Sequence, residues 1–380
     1  MKKFIPYGHQ WVQAEDIEEV VKVLKTDWLT QGPKVDAFEK VVADYCGTKY
    51  AVAVSSGTAA LHAAYFAAGI KIGDEVITTP LTFAATANAA IYCGAKPIFC
   101  DIEKDGFNID PANIEKKITK KTKAIAPVDF AGLPCDLDKI KKIAKKHNLL
   151  IIEDACHALG SEYKGKKIGG LSDMTVFSFH PVKTITTGEG GMILTNDSDF
   201  YERMKIFRHH GIVKKPEKGG WYYEIKDLGY NYRLTDFQCA LGLSQLKRLD
   251  KFVKRRYEIV ARYNEALSDI KEIILPAEKS YAKSSWHIYP IQFKLEKLKC
   301  GRKEIFDYFR GRGIGVQVHY MPLHLHPFYQ KKFGYQKGDF PLAERYYQRA
   351  ITLPLFPSMT NDDIRYVIKT VTNVIEKYVR

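Results

Sequence analysis

A chain of 380 residues is long enough for a large core and, by length alone, for two or three domains. Its 46% hydrophobic and 27% charged residues are those of an ordinary globular protein, and no segment approaches the length of a membrane span, which sets a membrane partner aside. A formal charge of +14 invites a nucleic-acid reading. The lysines, however, sit in runs such as IEKKITKKTKA and DKIKKIAKKHN, where Ile114, Ile118, Ile140 and Ile143 keep an apolar helical stripe and lysines take the outer face. Solvated helix faces, not a nucleic-acid partner, are expected, although a basic surface would help capture a phosphate-bearing small substrate. Cys46, Cys93, Cys100, Cys135, Cys156, Cys239 and Cys300 are odd in number, scattered and never in CxxC spacing, which argues against a disulfide framework or a zinc site. With no apolar run after the basic start of MKKFIPYGHQ, a cytoplasmic location is expected.

In chain order, AEDIEEVVKVLK (14–25) and VDAFEKVVADYC (35–46) read as amphipathic helices, the second stopped by Gly47. Seven short β-rich runs follow: YAVAV, EVITT, KPIFCDI, AIAPVDF, LLIIED, TVFSF and GMILTN. Helical patterns separate them up to about residue 150, and loops after that. This alternation predicts an α/β fold built on a mainly parallel seven-stranded sheet, with ligands at the carboxyl ends of the strands. The interval 213–233 is the most loop-like of the chain. Helical patterns then run from Thr235 to Leu267, and the rest mixes strands (WHIYPIQF, GVQVHY) with helices. The expected division is a large domain over 1–250 and a smaller α+β domain over 251–380, with the amino-terminal segment able to pack on the smaller one.

Three features fall at strand ends of the first domain. In VSSGTAALHAAYFAAG a strand runs into an Ala-rich helix, so the free N–H groups of the helix start, with hydroxyls beside them and Gly57 letting the backbone approach, would cradle a phosphate, although most such Ser-Ser-Gly-Thr junctions are only N-caps. In LLIIEDACHALGS, Glu153 and Asp154 emerge at the strand end, where a carboxylate can hold a cationic group, form a structural ion pair or cap the next turn, and His157 follows three residues after Asp154. In VFSFHPVKTITTGEGG, Ser178 and Lys183 precede a glycine turn, and Val182, Thr184 and Ile185 keep the lysine off an obvious solvent face. A lysine with a depressed pKa forms Schiff bases with aldehydes. Each feature alone has a structural reading. Together, and in this order, they are what pyridoxal phosphate needs: a helix start for its phosphate, a carboxylate for its pyridine nitrogen and a lysine for its aldehyde. Phe83 in TPLTFAATANAA would fit as a ring stacked on the cofactor, or equally as a core aromatic.

At this point the chain resembles the DegT/DnrJ/StrS nucleotide-sugar aminotransferases, on the segments SSGT, TFAATANAA, EDACHALGSEY, SFHPVKTITTGEGGM and LGYNYRLTDFQCALGLSQL, over about residues 5–330. The resemblance implies the aspartate-aminotransferase-like fold of type I and a homodimer with composite active sites. By position it makes Lys183 the cofactor-binding lysine, Asp154 the partner of the pyridine nitrogen, Gly57, Thr58 and Ser178 phosphate contacts, Phe83 the stacking ring and His157 the neighbour of the ring hydroxyl. Asn231 would reach the phosphate from the other subunit. WLTQGP, VDFAG, CHALGSEY and VQVHYMPLH are most similar to the branch serving pseudaminic-acid synthesis. That implies a UDP-linked 4-keto sugar as acceptor and L-glutamate as donor, with Tyr7, Asp27, Trp28, Leu29, Thr30, Gln317, Val318, His319 and Tyr320 contacting the sugar nucleotide. The three histidines of VQVHYMPLHLH have no carboxylate among them, so no metal is expected. Family members that dehydrate sugars carry His at the position of Lys183, so the lysine points to amination.

Overall fold

A computed structural model describes residues 4–380. Seven strands, β1 (Tyr50–Val54), β2 (Glu75–Thr78), β3 (Lys96–Phe99), β4 (Thr122–Ala126), β5 (Leu150–Asp154), β6 (Met174–Ser178) and β7 (Gly191–Thr195), form one sheet in the order β1-β7-β6-β5-β4-β2-β3. Only β7 runs against its neighbours; the other pairs are parallel. Each falls on one of the seven runs expected from sequence, although β4 starts two residues before AIAPVDF and ends at Ala126, before Pro127. Their near-continuous burial, as in β5 and β7, is that of strands covered on both faces.

Helices α1 (Ala14–Leu24) and α2 (Pro33–Cys46) precede the sheet, α3 (Gly57–Ala67) follows β1 and α4 (Ala84–Tyr92) follows β2. Alanines let α3 lie close to the sheet: Ala59, Ala60, Ala63 and Ala64 share a core with Val52, Val176 and Ile193. A second core joins Ile5 to residues between Ile259 and Ile375. The helix Leu249–Leu267 buries Leu249, Phe252 and Val253 in the core around the sheet and Ile259, Val260, Tyr263 and Leu267 in the second core.

Four expectations need correction. GVQVHY is not a strand: only Gln317 pairs, as an isolated bridge to Thr352, before Pro322 removes a donor and residues 318–320 turn to a cavity. The loop-like interval carries an antiparallel ribbon, Ile212–Lys214 with Tyr223–Ile225. IEKKITKKTKA is helical only to Lys117, because Ile118 is already extended and the chain must enter β4 at Thr122. WHIYPIQF pairs only over Tyr289–Phe293. Among the described residues no helix is long and apolar enough to cross a membrane.

Candidate active site

Because β7 alone is reversed, β1, β5 and β6 end on the same edge of the sheet, and β7 begins there. Gly191 pairs with Val54 on one side and Ser178 on the other. A Cβ at Gly191 would run into the Ser56 carbonyl and lie 2.8 Å from the Gly57 nitrogen. The glycine turn after Lys183 is therefore what lets β7 start against the first residues of α3.

That first turn is shaped for an anion. Ser56 caps α3, its hydroxyl accepting from Ala59 N–H at 3.0 Å, which leaves the foremost N–H groups of the helix pointing outward. A Cβ at Gly57 would sit 2.9 Å from Ser178 Cβ and 3.3 Å from Cys156 Sγ. Glycine thus lets the cradle, the Ser178 hydroxyl and the end of β5 converge.

The three meet in a cavity of about 740 Å³. On its walls stand Gly57, Thr58, Phe83, Asp154, His157, Ser178 and Lys183, from segments at the ends of the sheet's strands. Tyr7 and Gln317, Val318, His319 and Tyr320 close it from residues distant in the chain. The Phe83 ring is 58% exposed, open toward the cavity and 6.0 Å from Tyr320. Asn231, Asp27, Trp28, Leu29 and Thr30 are not in this chain's cavity. They lie on its surface: Asn231 pairs with His209, Thr30 with Thr235, and Trp28 and Leu29 are exposed.

Asp154 is held by two donors. Its Oδ2 accepts from Thr86 Oγ1 at 2.5 Å and its Oδ1 from Cys156 N–H at 3.2 Å. Burial pulls the Lys183 amine below its usual pKa, with Cys156 and Asp154 acting in the opposite direction. The same burial, reinforced by the Lys183 charge, keeps His157 well below the usual imidazole range and His319 at about 3. His157 is therefore neutral; its Nδ1 accepts from Ala131 N–H at 3.3 Å, so its proton sits on Nε2, 3.4 Å from the Tyr320 oxygen. His319 Nδ1 lies 2.8 Å from Thr352 Oγ1.

Sequence reasoning missed Thr86, Cys156 and His287. His287 also lines the cavity, its ring 4.3 Å from His157 and its Nδ1 buried without a hydrogen-bond partner. Thr86, one helical turn beyond Phe83, was within reach of the TFAATANAA segment; nothing local marked His287. Among the described residues no cluster of three or more His, Cys, Asp or Glu could hold a metal ion.

The donor set fits pyridoxal phosphate: free N–H groups and hydroxyls at a helix start, a buried carboxylate and a desolvated amine all face one cavity. Such a sheet and such a cavity define a pyridoxal-phosphate-dependent transferase of fold type I. The profile of the DegT/DnrJ/EryC1/StrS aminotransferase family matches residues 10–372. The UDP-4-amino-4,6-dideoxy-N-acetyl-beta-L-altrosamine transaminase of Campylobacter jejuni is 44% identical, over 98% of each chain. The spore coat polysaccharide biosynthesis protein SpsC of Bacillus subtilis is also 44% identical, over 98% of this chain and 97% of that one. Among solved structures, Helicobacter pylori PseC, described as an aminotransferase involved in the biosynthesis of pseudoaminic acid, superposes with a TM-score of 0.93 at 37% identity, over 99% of this chain and 100% of that one. The PLP form of the putative sugar aminotransferase Spr1654 from Streptococcus pneumoniae gives 0.92 at 33% identity, over 98% of this chain and 99% of that one. The chain belongs to the DegT/DnrJ/EryC1/StrS aminotransferase family.

Proposed function

We propose that this enzyme moves an amino group from L-glutamate to the 4-keto carbon of UDP-2-acetamido-2,6-dideoxy-β-L-arabino-hexos-4-ulose, giving UDP-4-amino-4,6-dideoxy-N-acetyl-β-L-altrosamine and 2-oxoglutarate, in the cytoplasm. The observation that carries the substrate is full-length similarity, at 38–44% identity, to three transaminases named for that product. Equal similarity to a spore-coat polysaccharide protein favours, as second reading, the same amination on another nucleotide-linked 4-keto sugar of the bacillosamine, perosamine or 4-keto-arabinose type. A cofactor-binding DNA regulator, suggested only by net charge, is the remote third.

When bound, pyridoxal phosphate supplies an aldehyde that exchanges amino groups and a ring that delocalises the electrons released at the amino-acid carbon. Lys183 would hold the cofactor aldehyde and, once displaced by glutamate, carry the proton from the amino-acid α-carbon to the cofactor carbon. Asp154, fixed by Thr86 and the Cys156 N–H, would keep the pyridine nitrogen protonated. Gly57, Thr58 and Ser178 would hold the phosphate, Phe83 would cover the ring, and His157 would donate from Nε2 to the ring hydroxyl. The same groups acting in reverse deliver the amine to the keto sugar, which Tyr7 and residues 317–320 would orient.

Asn231 and residues 27–30 lie outside their own chain's cavity. We assign them to the cavity of a second copy in a homodimer. The exposed apolar side chains around them support this reading: Trp28, Leu29, Trp221, Ile225 and Leu228. The division at about residue 250 is supported by the helix Leu249–Leu267, whose two ends are buried in different cores.

The test is an absorbance spectrum of the purified protein. A lysine-bound cofactor band that bleaches with glutamate and returns with the β-L-arabino 4-keto substrate supports both reaction and substrate. Return only with a D-configured keto sugar would replace the substrate and leave the reaction standing.

A further inference from the structure

Residues Tyr230, Asn231 and Tyr232 form an extended strap across the junction between β1 and α3. Val54 pairs with Arg233 and His209 with Asn231. The Ser55 N–H, one residue before the α3 cap, donates to the Tyr232 carbonyl at 2.8 Å, and the N–H groups of Tyr230 and Tyr232 donate to the carbonyls of Phe207 and Arg208 at 2.8 and 3.0 Å. Alternate side chains of an extended segment face opposite ways. The two tyrosines share one face, their rings stacked with centroids 5.0 Å apart, and the exposed Asn231 between them belongs to the other.

The face that the tyrosines share meets His62, buried on the second turn of α3. Its ring lies 5.1 Å from Tyr230, 5.9 Å from Tyr232 and edge-on to Phe207 at 5.0 Å. Its Nδ1 is 3.1 Å from the Tyr232 hydroxyl. Burial holds this imidazole neutral, with a pKa of about 4, so the bond is one between neutral groups. A single helix thus carries two things: at its first turn the cradle for its own chain's phosphate, and at its second the anchor of the strap that bears Asn231.

We infer that His62 and Tyr232 are a positioning pair, holding the strap on α3 so that Asn231 is presented to the cofactor phosphate of the neighbouring subunit. The inference rests on the proposed composite site, in which Asn231 serves the second copy. The rings bury the strap; the hydroxyl–imidazole bond sets its twist, and the twist sets where Asn231 points.

The experiment uses full-length heterodimers, differently tagged. The lending protomer carries Lys183→Ala, so that only the accepting protomer develops the lysine-bound band when pyridoxal phosphate is titrated into the cofactor-free protein. Tyr232→Phe keeps the ring stack and removes the hydrogen bond. Placed in the lending protomer, it should raise the dissociation constant about fivefold, the effect of one lost neutral hydrogen bond. In the accepting protomer it should change it less than about twofold, since the backbone bond to Ser55 persists. His62→Asn, which offers a polar atom near the Nδ1 position, should retain affinity when placed in the lending protomer, whereas His62→Phe should lose it. No lending-side effect, or equal effects from either side, would overturn the pairing, because a merely structural contact has no such asymmetry. Asn231→Ala in the lending protomer separates the two levels. If it weakens binding while Tyr232→Phe does not, the positioning role falls alone; if it changes nothing, the composite site falls and this inference with it.

Discussion

Thr86 and Asp154 are joined across the sheet edge by a 2.5 Å hydrogen bond, and Thr82 Oγ1 stands 2.9 Å behind Thr86 in a buried hydroxyl chain. A carboxylate gripped at Oδ2 by a side chain and at Oδ1 by a backbone N–H has one orientation, which is what a partner of a ring nitrogen requires. Thr86→Val removes a hydrogen bond to a charged group, so catalysis is expected to slow by about 10- to 100-fold with the fold retained. Asp154→Asn keeps the shape and loses the charge; a loss on the order of 10²–10³ in kcat is expected. Steady-state rates near wild type in Asp154→Asn would remove it from the mechanism.

Lys183→Ala should fold normally, show no lysine-bound cofactor band and fail to turn over. The pH dependence has a definite sign. Burial lowers the amine pKa, and only the neutral amine attacks an aldehyde. The rate of cofactor capture should therefore rise with pH and level off below the pH at which an exposed lysine would. Stopped-flow absorbance across the pH range checks this; a rise continuing to the ordinary lysine range would contradict it.

Gly191→Ala drives a methyl into the Ser56 carbonyl. Because that carbonyl opens α3 by accepting from Ala60 N–H at 3.0 Å, the damage passes to the helix start at Gly57. A loss of about 1–3 kcal/mol in stability is expected from overpacking, together with weaker pyridoxal phosphate binding. Gly188→Ala tests the same turn without that contact, since nothing lies within 4 Å of a Cβ there, though its φ of +81° adds backbone strain. Thermal melts with and without cofactor separate the two: only Gly191→Ala should shrink the stabilisation by cofactor.

Behind Asp154 lies a carboxyl pair, Asp129 and Glu153, both wholly buried. Glu153 Oε2 accepts from Ser172 and Thr175, and Asp129 Oδ1 from Cys135 N–H. Burial, then the nearby Glu153 charge, raises Asp129 well above the usual carboxyl range, and Asp129 Oδ2 and Glu153 Oε1 are both buried without another partner, so the pair is expected to share a proton. A carboxyl with a raised folded pKa makes the folded state bind more protons than the unfolded one, and stability then falls as pH climbs above about 4. Asp129→Asn donates permanently and should flatten that slope. Urea unfolding at several pH values measures it; an unchanged slope in Asp129→Asn would exclude the shared proton.

The seven strands, the helix start at Gly57 and the lysine before GEGG were legible in sequence because each depends on residues adjacent in the chain: a run of apolar side chains, a cap, a glycine turn. The same local reading failed at GVQVHY, where alternation suggests a strand and the fold uses the segment as a cavity wall, and at IEKKITKKTKA, where helical spacing is cut short by the entry to β4. Only the tertiary structure decided that Tyr7 and His319 face each other, with rings 5.3 Å apart, in the same cavity as Lys183. It alone placed His287 beside His157, and His62 beneath the strap that carries Asn231. Motif and periodicity report on short-range geometry. Which distant side chains share a cavity is set by how the sheet orders its strands, here by the single reversed strand that brings the ends of β1 and β6 to either side of Gly191.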